Sequence, residues 1–300
     1  MAETEQKISI KRDTDTSTQK VNVSPKVEIP NAVRAALNNS HISTEKVKYP
    51  SEPIGLPSEG YFYDEANPLS SGTVDIKYMT AREEDILTSQ NLLRKGVVLE
   101  RLLEALIITP GVKLNDILIG DKNALFVAAR RLAYGDSYGP VEITCRACAE
   151  ENKKTIDLST IKNKEFDFSK YTRGQNNFEY VLPHSNRKVT YKILTHKDEA
   201  EIDKELEGLN KMIKTGISPE ITTRLKKVIT SLDGNSDKAV INKFVDVELT
   251  ARDSIVFRQY IKDNSPNVDM GFEFICDSCN HKELREIPLT VQFFWPNSRL

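Results

Sequence analysis

Hydrophobic positions recur along this chain with two periods, and the changes between them outline its elements. In "GVVLERLLEALII" (96–108) apolar residues return every three or four positions, so Val98, Leu102, Leu103, Leu106 and Ile107 share one helical face. Pro110 and Gly111 stop that helix. "NALFVAARRLAY" is helical again, opened by Asp116 or Asp121 and ending before Gly135. "VDIKYM" alternates, which predicts a strand with Val74, Ile76 and Tyr78 on one face, and the aromatic "YFY" (61–63) predicts another. Between strand and helix, Thr80 and Glu83 form a capping box, so "AREEDILTS" is the helix it starts. Farther on, "FEYVLPHSNRKVTYKIL" reads as a hairpin around His184 to Arg187. "DEAEIDKELEGLNKMIK", "PEITTRLKKVITSL" and "LTARDSIVFRQYIKD" read as three helices.

Residues 1–50 keep no period and are rich in Thr, Ser, Lys, Glu and Asn, the composition of a flexible arm. Within it Asn31 suits the cap of a short helix through "AVRAAL". The arm is either a disordered tail or a segment that orders on a neighbouring subunit.

One device occurs twice. "VEITCRACAEENKKTIDL" begins at Val141 and "FEFICDSCNHKELREIPL" at Phe272, each a short apolar run, Cys-x-x-Cys, a polar turn and a second short run. A gapless alignment puts Cys145 on Cys276, Cys148 on Cys279 and Leu158 on Leu289, and all four cysteines of the chain lie here. A redox pair sits at a helix N-terminus after a strand, whereas these cysteines sit between two strand-like runs. Two such knuckles together supply four thiolates, the ligand set of a tetrahedral Zn²⁺ site with no open position, so the expected role is structural. His281 is a possible competing ligand; the bland alternative is a metal-free pair of hairpins. Ala149 and Asn280 follow the second cysteine of each knuckle, where many such knuckles carry Gly; Asn suits the left-handed conformation and Ala does not.

The elements therefore predict an α+β protein. Residues 51–140 form a strand-led helical region, 141–160 and 270–290 the paired zinc-ribbon-like hairpins, 161–269 an α+β insertion, and 291–300 an aromatic tail. The insertion begins and ends beside cysteines, so its ends should lie close together. Exposed Phe293, Phe294 and Trp295 would suit a partner surface; the alternative is that they fold back onto the chain's own core.

Composition narrows the function classes. A net charge of −2 gives no general attraction for a polyanion. In the knuckles Arg146, Lys153, Lys154, Lys282 and Arg285 alternate with Glu150, Glu151, Glu283 and Glu286, so no basic face emerges and nucleic-acid binding is disfavoured. No apolar run approaches the roughly 18–20 residues that span a bilayer, and the first residues lack a signal peptide's apolar core. The expected compartment is intracellular and reducing. His41, His184 and His196 lack a nucleophile or carboxylate at diagnostic spacing, and no Gly-rich phosphate loop occurs, so no enzyme activity is expected.

The layout resembles the T-even-type bacteriophage baseplate hub protein family. The resemblance rests on "LPSEGYFYDEANPLSSGTVDIKYMTAREEDIL", "LLRKGVVLERLLEALI", "ILIGDKNALFVAARRLAYG", the two Cys-x-x-Cys hairpins and "FFWP". The most specific stretches are "MTAREEDIL" and "GDKNALFVAARRLAYG"; arm and insertion carry no part of it. It implies a non-enzymatic protein of tail morphogenesis, assembled in the host bacterial cytoplasm and located at the virion baseplate. The implied partners are other baseplate and hub proteins and the tape measure protein. Whether the protein is a structural hub subunit or an assembly factor that leaves before the virion matures stays open at this point.

Overall fold

A computed structural model describes residues 49–212 and 218–294. Most of the arm, including Asn31 and His41, and Trp295 in the tail lie outside the described residues. The described chain is α+β, with eight α-helices and four small antiparallel sheets among these residues.

The first core forms around β1 (Ser51–Gly55), β2 (Thr73–Lys77), α1 (Ala81–Thr88), α2 (Gln90–Lys95), α3 (Val98–Leu106) and α4 (Ile119–Tyr134). Val74 and Ile76 of β2 are fully buried, while Thr73 before them and Asp75 between them are exposed. From α3, Val98, Leu102, Leu103 and Leu106 enter the same core, as their spacing requires. At the start of α1 the Glu83 carboxylate accepts the Thr80 N–H (3.0 Å) and hydroxyl (2.6 Å), completing the capping box. The Lys77 ammonium joins it at 2.7 Å, with Glu83 only 2% exposed.

Two expectations fail in this region for one reason. The stretch "YFY" is a turn, with Glu59 and Gly60 at φ of 49° and 73°, and the strand lies upstream at Ser51–Gly55. A side chain at Gly60 would stand 2.4 Å from the Ser70 carbonyl oxygen, so only glycine fits. The aromatic rings serve tertiary contacts instead of a ladder. Phe62 meets the rings of Phe166, Tyr171 and Phe178, and the Tyr63 hydroxyl donates to Asp121 (2.6 Å). Asp121 in turn does not cap α4. Leu118 takes that position, and Asp121 sits fully buried in the first turn, accepting the Ser58 N–H (2.9 Å) and hydroxyl (2.6 Å). Burial pushes this carboxyl's pKa up, against the pull of the Ser58 and Tyr63 donors.

The insertion is closed at its neck. The Lys164 N–H donates to the Asn267 carbonyl and the Asp269 N–H to that of Lys162, both at 2.8 Å. Gly120 packs against the same neck, where a β-carbon would fall 1.9 Å from the Pro266 carbonyl oxygen. Beyond it a second core gathers around the sheet β5 (Phe178–Val181), β6 (Lys188–Tyr191) and β7 (Ile229–Leu232), in that order. Around this sheet run α5 (His196–Met212), α6 (Glu220–Val228), α7 (Lys238–Lys243), a π turn (Phe244–Glu248) and α8 (Ala251–Asp263). "ITSL", expected to continue a helix, is β7: the chain leaves helical geometry at Ile229 and pairs with β6. The short helix α7 was not foreseen. His196 opens α5, where burial and then the Lys122 ammonium lower its pKa.

In the aromatic tail, Phe293 and Phe294 follow the second of the two readings, folding back onto the chain's own core. Phe293 and Phe294 are 0% and 1% exposed, Phe293 against Tyr138 (5.1 Å between ring centres) and Phe294 against Phe126 (5.9 Å). They close the first core and are not docking side chains. Each buried ring is worth roughly 1.5–3 kcal/mol, which outweighs leaving it in water for a partner.

Glu83 supplies a pH test of the first core. Burial alone would raise its pKa, but the Lys77 ammonium and the Thr80 donors outweigh burial and hold it at about 2, below an ordinary 4.5. A carboxyl depressed in the folded state adds stability above its unfolded pKa and loses it as pH falls towards the folded value. Glu83→Gln should therefore cost about 2–3 kcal/mol at pH 7. In urea titrations the gap to wild type should close as pH falls from about 4.5 towards 2.

Candidate metal centre

Two hairpins carry the cysteines. β3 (Ser137–Thr144) pairs with β4 (Glu151–Asp157), and β8 (Gly271–Ile275) with β9 (Lys282–Glu286). Their turns are folded alike. The Cys145 N–H donates to the Glu150 carbonyl and the Ala149 N–H to that of Cys145, both at 2.9 Å. Cys276 and His281, and Asn280 and Cys276, repeat both bonds at 3.0 Å. Left-handed backbone follows the second cysteine in each case, at Ala149 (φ 61°) and Asn280 (φ 54°). The repeat in sequence is thus a repeat of backbone geometry, and Ala149 adopts the conformation despite its β-carbon.

Facing each other, the knuckles bring the four sulfurs within 4.8 Å of one another. Cys145 lies 3.7 Å from Cys279, and Cys148 3.7 Å from Cys276, each pair spanning the two hairpins. A tetrahedron of sulfurs about 2.3 Å from a central ion has edges of about 3.8 Å. The donor set therefore fits a metal ion with all four positions taken. Cys145 and Cys276 are buried and Cys148 and Cys279 exposed, so the site is open on one side only. His281 is exposed and outside this sulfur cluster. A strand follows each knuckle, as expected of a ribbon and unlike a dithiol redox pair.

Donors surround the sulfurs. The Ala147 N–H points to the Cys145 sulfur at 3.4 Å, and the Asn152 amide to that of Cys276 at 3.5 Å. Backbone N–H groups of Cys279 and then Ser278, with Asn152, lower the Cys276 thiol to about 6 against the opposing effect of burial. Asn152 was missed in the sequence. It is 3% exposed, and its side-chain oxygen accepts the Asp277 N–H (2.7 Å), so one amide holds both the sulfur and the opposite knuckle. The alternation that buries Ile156 also turns Asn152 inward, and that is the signal by which it was findable.

Charge joins the hairpins too. Arg146 reaches Glu283 (3.6 Å) from the first knuckle to the second ribbon, and Asp277 meets Lys154 in the reverse direction. Lys153 pairs with Glu142 (3.3 Å), Lys282 with Glu273 (3.9 Å) and Arg285 with Glu283 (2.7 Å), so each basic residue singled out in the ribbons has a carboxylate partner. The apolar part of the site is small: Phe274 with the two buried cysteines, flanked by Ile143 and Phe272.

Ala149→Gly should stabilise the metal-loaded protein by about 0.5–1 kcal/mol, read as a rise of a few degrees in calorimetry, because glycine enters left-handed backbone without strain. Asn152→Ala should weaken metal binding about tenfold or more in a competition titration with a chromophoric chelator, because it removes a donor to sulfur.

No helix among the described residues is long and apolar enough to cross a membrane. No curated protein and no solved structure matches the chain at a significant level. A family model described as T4 bacteriophage base plate protein matches residues 62–295, a span that includes the second core, most of the first and both cysteine hairpins. The chain therefore belongs to the T4 bacteriophage base plate protein family, which makes it a phage tail protein with other baseplate proteins as its partners.

Proposed function

We propose that this chain is a non-enzymatic structural subunit of the baseplate hub, acting in tail assembly through protein–protein contacts. The observation that carries this reading is the family match across residues 62–295, from the first turn of the core to the aromatic tail. Its direct partners are hub proteins and the tape measure protein, met during assembly in the host cytoplasm. In this reading Cys145, Cys148, Cys276 and Cys279 hold a structural Zn²⁺. The all-sulfur donor set and the N–H donors around it suit that ion, and four protein ligands leave no position for a substrate. The ion would tie the two hairpins together where their own apolar cluster is too small to do so.

The histidines support a non-catalytic role. His184 lies in a hairpin turn, His196 is buried between Lys122 and Glu100, and His281 is exposed beside the ribbon. The carboxylate partners of the ribbon's basic residues weigh against a nucleic-acid role.

Cys145→Ser and Cys276→Ser should each lose bound zinc and lower the melting temperature together, by about 10 °C or more. Unchanged melting and unchanged zinc stoichiometry in both variants would remove the metal from the proposal. Quantitative mass spectrometry of purified tails tests the hub role. Stoichiometric presence of the chain is the expected result; its presence in infected-cell intermediates alone would make it an assembly factor that leaves.

A further inference from the structure

The first cysteine hairpin has an open edge. Because the Cys145 N–H bonds the Glu150 carbonyl, the antiparallel alternation makes Ile143/Asn152 and Val141/Lys154 the hydrogen-bonded pairs. The main-chain groups of Glu142 and Thr144 then point away from β4. Thr144 bears this out, since its carbonyl accepts the Arg285 guanidinium at 2.9 Å from the other hairpin. The N–H and C=O of Glu142 have no partner among the described residues on that side. Across from β3, Glu286 of β9 likewise turns its main chain outward, because the Ile287 N–H bonds the Met270 carbonyl (3.0 Å).

A groove of about 1110 Å³ runs between these two strands, lined by Glu142, Lys153 and Glu286, with Arg130 on its inner wall. Arg130 is 2% exposed, and its three hydrogen bonds go to the carbonyls of Phe293 (3.0 Å), Gly135 (3.3 Å) and Ser137 (3.2 Å). No carboxylate among the described residues pairs with it, and two of the five N–H donors of a guanidinium remain to be used. A buried cation that rests on the Tyr134 ring (4.9 Å) and has no carboxylate partner thus stands beside a strand edge where the Glu142 N–H and C=O are unused.

We propose that this groove takes an extended segment of another baseplate protein, added as a strand on the open edge of β3, with an acidic side chain directed at Arg130. The free main-chain groups of Glu142 supply the affinity of strand addition, and the guanidinium without a carboxylate partner supplies the charge preference. This deepens the hub reading above and rests on it.

Proline at an outward-facing position removes the edge N–H without touching the β3–β4 ladder, so Glu142→Pro tests strand addition and Glu142→Ala controls for the lost side chain. Phage carrying each variant would be purified and the chain quantified in tails, with metal content and melting measured on the isolated protein. The expected result is at least about a tenfold loss of Glu142→Pro from tails, Glu142→Ala at the wild-type level, and both isolated proteins unchanged. In parallel, Lys153→p-benzoylphenylalanine should cross-link in tails to an Asp- or Glu-containing segment of a different baseplate chain. Incorporation of Glu142→Pro at the wild-type level, a cross-link to a second copy of this chain, or no cross-link in tails that contain it would each overturn the proposal. If Glu142→Pro alters metal content or melting, the cross-link alone decides. Absence of the wild-type chain from tails would fell the hub reading and this proposal together, whereas normal wild-type incorporation with a failed edge test fells this proposal only.

Discussion

Four sulfurs within 4.8 Å of one another impose the constraint on which this part of the structure turns. Meeting it brings Cys145 and Cys148 against Cys276 and Cys279, and so closes everything from Ala149 to Ile275 into one loop. The loop is narrowed again at Lys162–Lys164 and Asn267–Asp269, whose main chains bond each other. Both connections of the second core pass through this one neck. The hairpins themselves bury little beyond Phe274 and two cysteines, too little apolar surface to hold two ribbons face to face. Cross-hairpin ion pairs and the Asn152 amide add direction, and the four cysteines meet where the two knuckles face each other.

A second device recurs in both cores. Glu83, Asp121, Asp198 and Asp253 each occupy the third position of a helix, and each is buried. Acids there are favoured by the helix dipole, but these four also reach out of their own helix. Glu83 and Asp198 take lysines from the preceding strand segment. Asp121 takes the hydroxyls of Ser58 and Tyr63, and Asp253 the N–H groups of His184 and Ser185, both at 3.0 Å. Glu83 and Asp198 thereby bond the start of their own helix, while Asp121 and Asp253 fix a distant turn against theirs. Buried carboxylates are tolerable only with such full satisfaction, which is why each has two or more donors.

Much of the chain was legible because the deciding physics is local. Helical spacing put Val98, Leu102, Leu103 and Leu106 on one face, the capping box set the start of α1, and alternation set β2. The aligned knuckles pointed to the four cysteines that the fold brings together before any geometry, because a two-residue spacer between thiols has few uses. What failed was decided at a distance. Strand-forming aromatics at Tyr61–Tyr63 became a turn because their rings and hydroxyl had partners in other segments. Ile229–Leu232 left its helix for a place beside β6, and Phe293 and Phe294 found a pocket that exists only once α4 and β3 are assembled.

The amino-acid sequence by itself determined the periods, the caps and which residues are able to ligate a metal, since these depend on neighbours a few positions away. Only the tertiary structure decided which polar groups are buried together, which strand edges stay open and where Arg130 lacks a counter-charge. Those properties depend on what fills the space around a group, and that space is built by segments far apart along the chain.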